Sequence, residues 1–512
     1  MRFVAAVLMS LAATGAPAVA QEESEAPLVS PILTSEEAKD PWTFAEPEVA
    51  RVTHVALDLS LDFDAKQVGG MATLDIEAEP GADTVVLDSQ GLAIAAITDE
   101  AGNALPFAVG EAVEGKGTPV TVTTGEARRI AIAYTASDAE ALQWLAPEQT
   151  AGGDHPYLFS QGQPTLNRTW IPTQDSPGIR QTWEARIVAP KPLTVVMSGL
   201  RMGEPEDLGN GTRAFRFAMD KPVAPYLIAL AAGDLAFREL GPRTGVWTEP
   251  SMLDAAAREL ADTEKMVEAA EALYGPYRWG RYDMIVLPPS FPYGGMENPT
   301  LTFLTPTFIA GDRSLVGLVA HELAHSWSGN LVTNANWADS WLNEGVTTYF
   351  ENRIIEALYG TGRASQEAAL SFAEIEKVLA EEGADDPITA LHLPPDLATP
   401  DGGQSGIIYD KGAAFMRTVE TIVGRERFDA WLRQWFDSHA FEPALATRYE
   451  PAVPAAEEFL ARGGRRKFVL PLFETLMAEG EWGQPIARRI YAETRPSYHS
   501  VTQGSVDEVV RQ

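Results

Sequence analysis

The sequence predicts a multi-domain fold in which an N-terminal antiparallel β domain precedes a mostly helical region. From Arg51 to about residue 245, segments that alternate apolar and polar residues are separated by Gly, Pro and Asp turns, as in antiparallel sheets. After Trp247 the apolar residues recur at helical spacing. The 512 residues, 45% of them hydrophobic, are enough for about three domains.

The first 20 residues, 1–20, predict a secretory signal peptide. Arg2 precedes a short apolar run, and the Ala-Val-Ala sequence at 18–20 fits a cleavage site before Gln21. The apolar run is too short to span a bilayer. We therefore expect an exported protein, periplasmic or secreted, without a membrane anchor.

The remaining chain divides by composition. Residues 21–45 are rich in Glu, Pro and Ser and predict a flexible or loosely docked leader, and residues 46–245 form the predicted β domain. Residues 246–439 carry the first helical patterns. Residues 440–512 begin with an irregular, Pro-rich stretch before helices resume near Ala455. The predicted helices of the third segment are 255–274, 314–328, 339–358 and 412–439.

Charge and cysteine content limit the partners. The formal net charge of −33 argues against nucleic acid or an anionic membrane as a partner, and we interpret the charge as favouring solubility. The sequence contains no Cys, which removes disulfides, thiolate metal ligands and a lipid-modified cysteine.

The motif HELAH at residues 321–325 predicts a zinc site. Two imidazoles four residues apart on a helix share a face, so His321 and His325 can bind one ion, with Glu322 beside its open side. Zinc accepts a carboxylate as third ligand, and Glu344 on the next predicted helix supplies one. Glu351, two turns after Glu344 on the same face, either bonds a ligand imidazole or faces solvent. The pattern indicates a zinc peptidase whose catalytic base is Glu322.

The motif GGMEN at residues 294–298 precedes the zinc helix. Its glycines, Gly294 and Gly295, allow a backbone to approach a substrate closely, although a tight turn is the alternative. The segment resembles the Gly-x-Met-Glu-Asn signature of zinc aminopeptidases. That resemblance implies that Glu297 binds the free α-amine of a peptide and that Met296 belongs to the same substrate-binding edge.

Three further motifs resemble the leukotriene A4 hydrolase-like branch of peptidase family M1. In YDKG at 409–412, the resemblance implies that Tyr409 donates a hydrogen bond to the oxyanion, where core packing is the alternative. In QGQ at 161–163, on a probable strand, it implies amine binding by Gln163 and a lesser substrate contact for Gln161. In RRKF at 465–468, it implies a clamp for the substrate carboxylate, with Arg465 and Lys467 as its cations.

The basic run could instead be a solvated helix face. The sequence also departs from the branch in two places. The helical segment between residues 439 and 455 is missing, and Gln404 stands where a pocket Tyr is expected for lipid epoxide hydrolysis, although Asp401 matches the polar residue of that reaction.

The resemblance implies a thermolysin-like α/β zinc catalytic domain followed by a shortened all-α C-terminal domain. It also implies one zinc ion per chain and hydrolysis of short peptides from their N-termini by a zinc-activated water. Two alternatives remain open from sequence, a lipid epoxide hydrolase and a non-catalytic peptide-binding protein. The oligomeric state is not predicted.

Overall fold

A computed structural model describes residues 31–446 of the chain, apart from 384–385, 395–396, 398 and 401–405. The predicted signal peptide, the start of the leader and most of the C-terminal segment lie outside the described residues. So do Asp401, Arg465 and Lys467. Among the described residues, no helix is long and apolar enough to cross a membrane.

The described strands follow one another mainly in the first half of the chain. They are β1 Ala50–Asp62, β2 Gln67–Ala78, β3 Thr84–Ser89, β4 Leu92–Asp99, β5 Phe107–Val109, β6 Thr118–Thr123, β7 Arg129–Ser137, β8 Leu142–Leu145, β9 Tyr157–Ser160, β10 Gln181–Pro190, β11 Thr194–Met197, β12 Leu200–Arg201, β13 Glu206–Asp207, β14 Thr212–Val223, β15 Leu230–Gly233, β16 Ala236–Glu239, β17 Thr244–Thr248, β18 Tyr282–Val286, β19 Gly295–Met296, β20 Leu301–Leu304, β21 Val332–Asn334 and β22 Glu442–Ala444.

The described α-helices all follow residue 252 and build the second part of the structure. They are α1 Leu253–Glu259, α2 Thr263–Tyr274, α3 Gly317–Ala324, α4 Trp341–Tyr359, α5 Thr361–Glu382, α6 Ile407–Val423 and α7 Arg425–Ser438. Short 3-10 helices occur at Pro31–Thr34, Glu36–Ala38, Pro147–Gln149, Asn167–Thr169, Pro225–Leu227, Pro306–Phe308, Trp337–Asp339 and Pro387–Thr389.

The predicted β domain is present and is built on three sheets. The largest has the order β12-β14-β10-β1-β2-β7-β4, with β13 paired to β14. Its pairs are antiparallel except for β1 and β10, which run parallel. Alternation along β1 places Val55, Leu57 and Leu59 in the core, as expected for strands with one buried face. The smaller sheets have the orders β3-β6-β5 and β11-β15-β9-β8.

The second part is an α/β domain, as predicted. Its sheet has the order β16-β17-β18-β20-β19, in which β17, β18 and β20 are parallel and the edge strand β19 is antiparallel to β20. The predicted boundary at residue 245 falls inside β17. Buried apolar residues of the β domain and of the α/β domain belong to one continuous core.

Two predicted helices are each two helices in the structure. The segment 255–274 contains most of α1 and all of α2, because the chain turns at 260–262, where Thr263 Oγ1 donates to the Leu260 carbonyl at 2.8 Å. The segment 412–439 contains most of α6 and all of α7, separated by Gly424 with a φ of 89°. A positive φ ends a helix and is best tolerated by glycine.

The second half of the predicted flexible leader is packed onto the fold. Trp42 is 2% exposed, and its indole donates to the Leu397 carbonyl at 3.0 Å. Thr43 donates to Asp88 at 2.5 Å, and the Asp40 carboxylate accepts from Ser176 at 2.6 Å. The prediction of a flexible leader is therefore wrong for residues 40–45, because one buried Trp and these polar contacts outweigh the disorder-prone composition.

Candidate metal centre and substrate cleft

Two neighbouring helices bring the predicted zinc ligands together. His321 lies on α3, His325 follows its last residue, and Glu344 lies in the first turn of α4. The two Nε2 atoms are 3.1 Å apart. Glu344 Oε2 lies 3.4 Å from His321 Nε2 and 3.3 Å from His325 Nε2. Three ligand atoms therefore converge on one point, as a metal centre requires.

The hydrogen bonds around this cluster fit a bound zinc ion. Glu344 Oε2 is buried and has no hydrogen-bond partner among the described residues, so a cation is the group that would satisfy it. The other ring nitrogens are occupied. His321 Nδ1 lies 3.0 Å from Glu351 Oε2, and His325 Nδ1 lies 3.2 Å from the Ser328 carbonyl and 3.1 Å from Thr347 Oγ1. Such contacts fix the rings with both Nε2 atoms directed to the metal position.

Glu351 therefore takes the first of its two predicted alternatives in this structure. Its carboxylate bonds the ring of His321 rather than extending into solvent, and its side chain is 21% exposed. Carboxylate partners of this kind orient a ligand imidazole and raise its basicity.

Glu322 lies beside the cluster and is 5% exposed. Burial raises the pKa of this carboxyl to about 8, because the charged form loses water. A zinc ion nearby would act in the opposite direction. Gly295 packs directly on this side chain, since a Cβ at that position would lie 2.2 Å from Glu322 Oε1. Only glycine leaves room for the base at this edge of the sheet.

An open cleft of about 360 Å³ borders the metal cluster. Its walls include four of the nine predicted substrate-binding residues together with the zinc ligands, Glu322 and Tyr409. The lining residues are Gln163, Tyr293, Gly294, Gly295, Glu297, Leu318, His321, Glu322, His325, Glu344, Glu351 and Tyr409.

Glu297 is the buried carboxylate of this cleft besides Glu322 and the ligand Glu344, and it is 3% exposed. Its Oε1 accepts from Tyr226 at 2.8 Å and from Asn343 Nδ2 at 3.3 Å. Its backbone carbonyl accepts from Asn330 at 2.6 Å. The side chain and the backbone of Glu297 are thus both fixed.

Tyr409 reaches the cleft from α6. Its ring stacks on His321 with centroids 5.8 Å apart and planes at 27°. The helices α4 and α6 approach closely through Gly345 and Gly412, where a Cβ on either glycine would lie 2.6 Å from the other Cα. Burial, followed by the charge of Glu344, raises the pKa of Tyr409 well above its usual value. Its hydroxyl therefore stays protonated and can donate a hydrogen bond.

The QGQ segment differs from its prediction. It follows the end of β9 rather than lying on a strand. Pro164 has no N–H to donate to a neighbouring strand, and the chain turns here, with Leu166 N donating to the Gly162 carbonyl. Gln163 lines the cleft, and its amide donates to Glu344 Oε1 at 3.4 Å. Gln161 instead lies 7% exposed outside the cleft lining, 3.1 Å from Met296 Sδ.

Met296 also lies outside the cleft lining. Its side chain is 2% exposed and packs in the core from β19, an edge strand whose residues alternate between two faces. The structure therefore brings Gly294, Gly295 and Glu297 to the cleft, while Met296 can offer a substrate only its backbone.

Sequence reasoning missed Tyr226 and Thr347. Tyr226 is distant in sequence from every predicted site residue and belongs to the β domain, so no local spacing could indicate its contact with Glu297. Thr347 lies three residues after Glu344, on the same helical face, and that spacing could have indicated a contact with the zinc ligands.

Comparison with known families is consistent with this geometry. Residues 258–454 match the peptidase family M1 domain, residues 51–227 match the peptidase M1 N-terminal domain, and residues 436–510 match the leukotriene A4 hydrolase C-terminal domain. The chain is 41% identical over 423 residues to leukotriene A-4 hydrolase of Xenopus laevis, covering 80% of this chain and 69% of that protein.

The chain belongs to peptidase family M1. It is a metallopeptidase of the leukotriene A4 hydrolase-like branch, and the family uses one zinc ion. The predicted three-part fold, with a helical C-terminal domain, is thereby confirmed. The role assigned to each site residue stays a prediction.

Other relatives lie in the same family. The chain is 40% identical to leucine aminopeptidase 2 of Yarrowia lipolytica, over 78% of this chain and 62% of that protein. The structure of yeast LTA4 hydrolase in complex with bestatin superposes with a TM-score of 0.78 at 33% identity. That match covers 83% of this chain and 68% of the yeast chain. The matched regions thus cover roughly two thirds of each of these two proteins.

Proposed function

We propose that this peptidase removes N-terminal residues from short peptides by attack of a water molecule held at the zinc position. One observation supports the proposal above the others. Glu297, a buried carboxylate, lies in the same cleft as the three zinc ligands and Glu322. A fixed negative charge at this place pairs with a protonated α-amine, which only the first residue of a peptide carries.

The proposed reaction begins with binding of the peptide N-terminus. Glu297 and Gln163 hold the α-ammonium, which places the first peptide bond against the metal position. Zinc, when bound by His321, His325 and Glu344, lowers the pKa of water and polarises the carbonyl oxygen of that bond.

The protein residues then move the protons. Glu322 accepts a proton from the attacking water and returns it to the leaving amine, so that the peptide bond breaks with no net change in the protonation of Glu322. Tyr409 donates a hydrogen bond to the developing oxyanion, which is a role that its persistent O–H suits. The position of Glu322 supports this assignment, because the side chain is 5% exposed and lines the cleft beside the three zinc ligands.

A pair of substrates tests the proposal. Purified holoenzyme should hydrolyse leucine 4-nitroanilide and fail with N-acetyl-leucine 4-nitroanilide, which keeps the side chain and the scissile bond but lacks the ammonium. A chelator should abolish the activity, and added zinc should restore it. Equal hydrolysis of both substrates would replace the exopeptidase proposal with an endopeptidase or amidase. No hydrolysis of either, with zinc bound, would favour a non-catalytic peptide-binding protein.

Lipid epoxide hydrolysis is a second candidate, because one relative bears the name leukotriene A-4 hydrolase. Gln404, which stands where the resemblance expects a Tyr, weighs against it. Incubation with a fatty-acid epoxide under the conditions of the anilide assay distinguishes the two, since only an epoxide hydrolase forms a dihydroxy acid.

We also propose that the protein is exported and that short peptides reach it outside the cytoplasm. The support is the signal-like pattern of residues 1–20. Expression of the full chain in a bacterial host, with fractionation and N-terminal sequencing, should give a protein that begins at Gln21 in the exported fraction. A full-length protein in the cytosolic fraction would overturn this proposal.

A further inference from the structure

Tyr226 connects the β domain to the substrate cleft. It lies in the 3-10 helix Pro225–Leu227, between β14 and β15, and is 1% exposed. Its hydroxyl donates to Glu297 Oε1 at 2.8 Å. Its ring packs on Trp337 of the α/β domain, with centroids 5.1 Å apart. A residue of one domain thus bonds the side chain proposed to recognise the substrate in the other.

The hydrogen bonds of Glu297 are distributed unevenly between its two oxygens. Tyr226 and Asn343 both donate to Oε1, and the two donors are 3.4 Å from each other. Within the described part of the chain, no residue donates to Oε2. Two donors on one oxygen fix the rotation of the carboxylate and leave the second oxygen for a cationic ligand.

The hydroxyl of Tyr226 is a permanent donor. Burial, and then the charge of Glu297, raises the pKa of Tyr226 well above its usual value. Hydrogen bonds to an ionised acceptor are about twice as strong as those between neutral groups. The bond from Tyr226 therefore keeps the Glu297 carboxylate oriented.

We propose that Tyr226 is a positioning residue for amine recognition, which turns Glu297 so that Oε2 receives the α-ammonium of the substrate. This inference depends on the proposed function, because it assumes that Glu297 binds an amine. It adds that the β domain takes part in substrate selection through a side chain that does not contact the peptide.

A pair of hydroxamates separates amine recognition from metal binding. Leucine hydroxamate and 4-methylpentanehydroxamic acid have the same carbon skeleton and the same metal-binding group, and only the first carries the α-amine. The ratio of their inhibition constants measures the amine subsite alone. In the zinc-loaded enzyme, Tyr226→Phe should reduce the preference for leucine hydroxamate about tenfold, the effect of one hydrogen bond to a charged group. The constant for the amine-free compound should not change.

Tyr157→Phe is the matched control. Tyr157 is also 1% exposed and lies in the β domain, and its hydroxyl has no partner among the described residues. This variant should keep the wild-type ratio. Tyr226→4-aminophenylalanine, which keeps a donor at the same position, should restore most of the preference lost in Tyr226→Phe.

The outcomes distinguish this inference from the proposed function. If the wild-type enzyme shows no preference for the amine, the proposed exopeptidase site is wrong. If the wild-type enzyme prefers the amine and Tyr226→Phe keeps that preference, only the role of Tyr226 is wrong. Equal weakening of both hydroxamates, or loss of zinc or folding in Tyr226→Phe, would show that Tyr226 is structural and would also overturn the inference.

Discussion

The two sides of the cleft are built differently. On the metal side, α3 and the start of α4 supply His321, His325 and Glu344, so the ligands come from one stretch of chain. On the amine side, Glu297 lies at the edge strand β19, and its partner Tyr226 comes from the other domain. The metal side depends on the geometry of two helices, whereas the amine side depends on how two domains pack.

This difference predicts how each side responds to substitution. A change on the metal side should affect zinc or the proton transfers and leave the preference for an amine unaltered. A change on the amine side should affect substrate choice and leave zinc bound. The following predictions, ordered by size, test whether the two sides are separable.

The largest effect is expected for Glu322→Gln, which removes the proposed base and keeps the size of the side chain. General acid–base catalysis contributes about 10²–10⁴ in rate, so kcat should fall by that factor. Zinc content, measured by atomic absorption, should remain that of the wild type because Glu322 is not a ligand. Loss of zinc from Glu322→Gln would contradict the assignment of the three ligands.

The metal side could be predicted from sequence because its spacing is local. The i, i+4 rule places His321 and His325 on one face, and two turns separate Glu344 from Glu351, so both relations follow from helix geometry. The contact between Tyr226 and Glu297 could not be predicted, because residues 71 positions apart meet only through the packing of two domains. The family resemblance implied a role for Glu297, but it did not indicate that Tyr226 donates a hydrogen bond to this residue.

The glycines of the edge strand give the next largest effect. In Gly295→Ala, the new Cβ would lie 2.2 Å from Glu322 Oε1, so the base must move. A displacement of about 1 Å in a catalytic group can cost about 100-fold, and we expect kcat to fall by that order with zinc retained. Gly294→Ala is the control, since its Cβ would meet only the flexible Leu318 at 3.0 Å. Equal losses in both variants would show that the strand, rather than Glu322, is disturbed.

Glu351→Gln tests the support of the zinc ligands. Loss of its charge-assisted bond to His321 Nδ1 should weaken zinc affinity about 10–100-fold, as measured by competition with a chelator. At saturating zinc, kcat should change little. Glu356→Gln on the same helix is the control, because Glu356 has a similar exposure of 20% but pairs with Arg425. An unchanged zinc affinity in Glu351→Gln would contradict the orienting role.

The wrong predictions share a cause. The leader was predicted flexible from its composition, yet Trp42 packs against a distant part of the chain, at Leu397. The QGQ segment was predicted to lie on a strand, yet the chain turns at Pro164. In both segments the conformation is determined by a feature outside the local pattern. That feature is the packing of Trp42 in the leader and the missing N–H donor of Pro164 in the QGQ segment.

The smallest effect is expected on the amine side, from Gln163→Ala. Its amide lines the cleft, and the hydrogen bond that it makes to a described residue is a long one, 3.4 Å to Glu344 Oε1. A hydrogen bond to a charged group such as the α-ammonium contributes about 1.5 kcal/mol at the low end of its range, so KM for leucine 4-nitroanilide should rise about tenfold with kcat and zinc content unchanged. Gln161→Ala is the matched control. Gln161 lies outside the cleft lining against Met296, so its removal should lower thermal stability and leave KM unaltered.

If Gln161→Ala raises KM and Gln163→Ala does not, the two glutamines have exchanged roles. If Gln163→Ala releases zinc, the residue belongs to the metal side, and the two sides of the cleft are not separable.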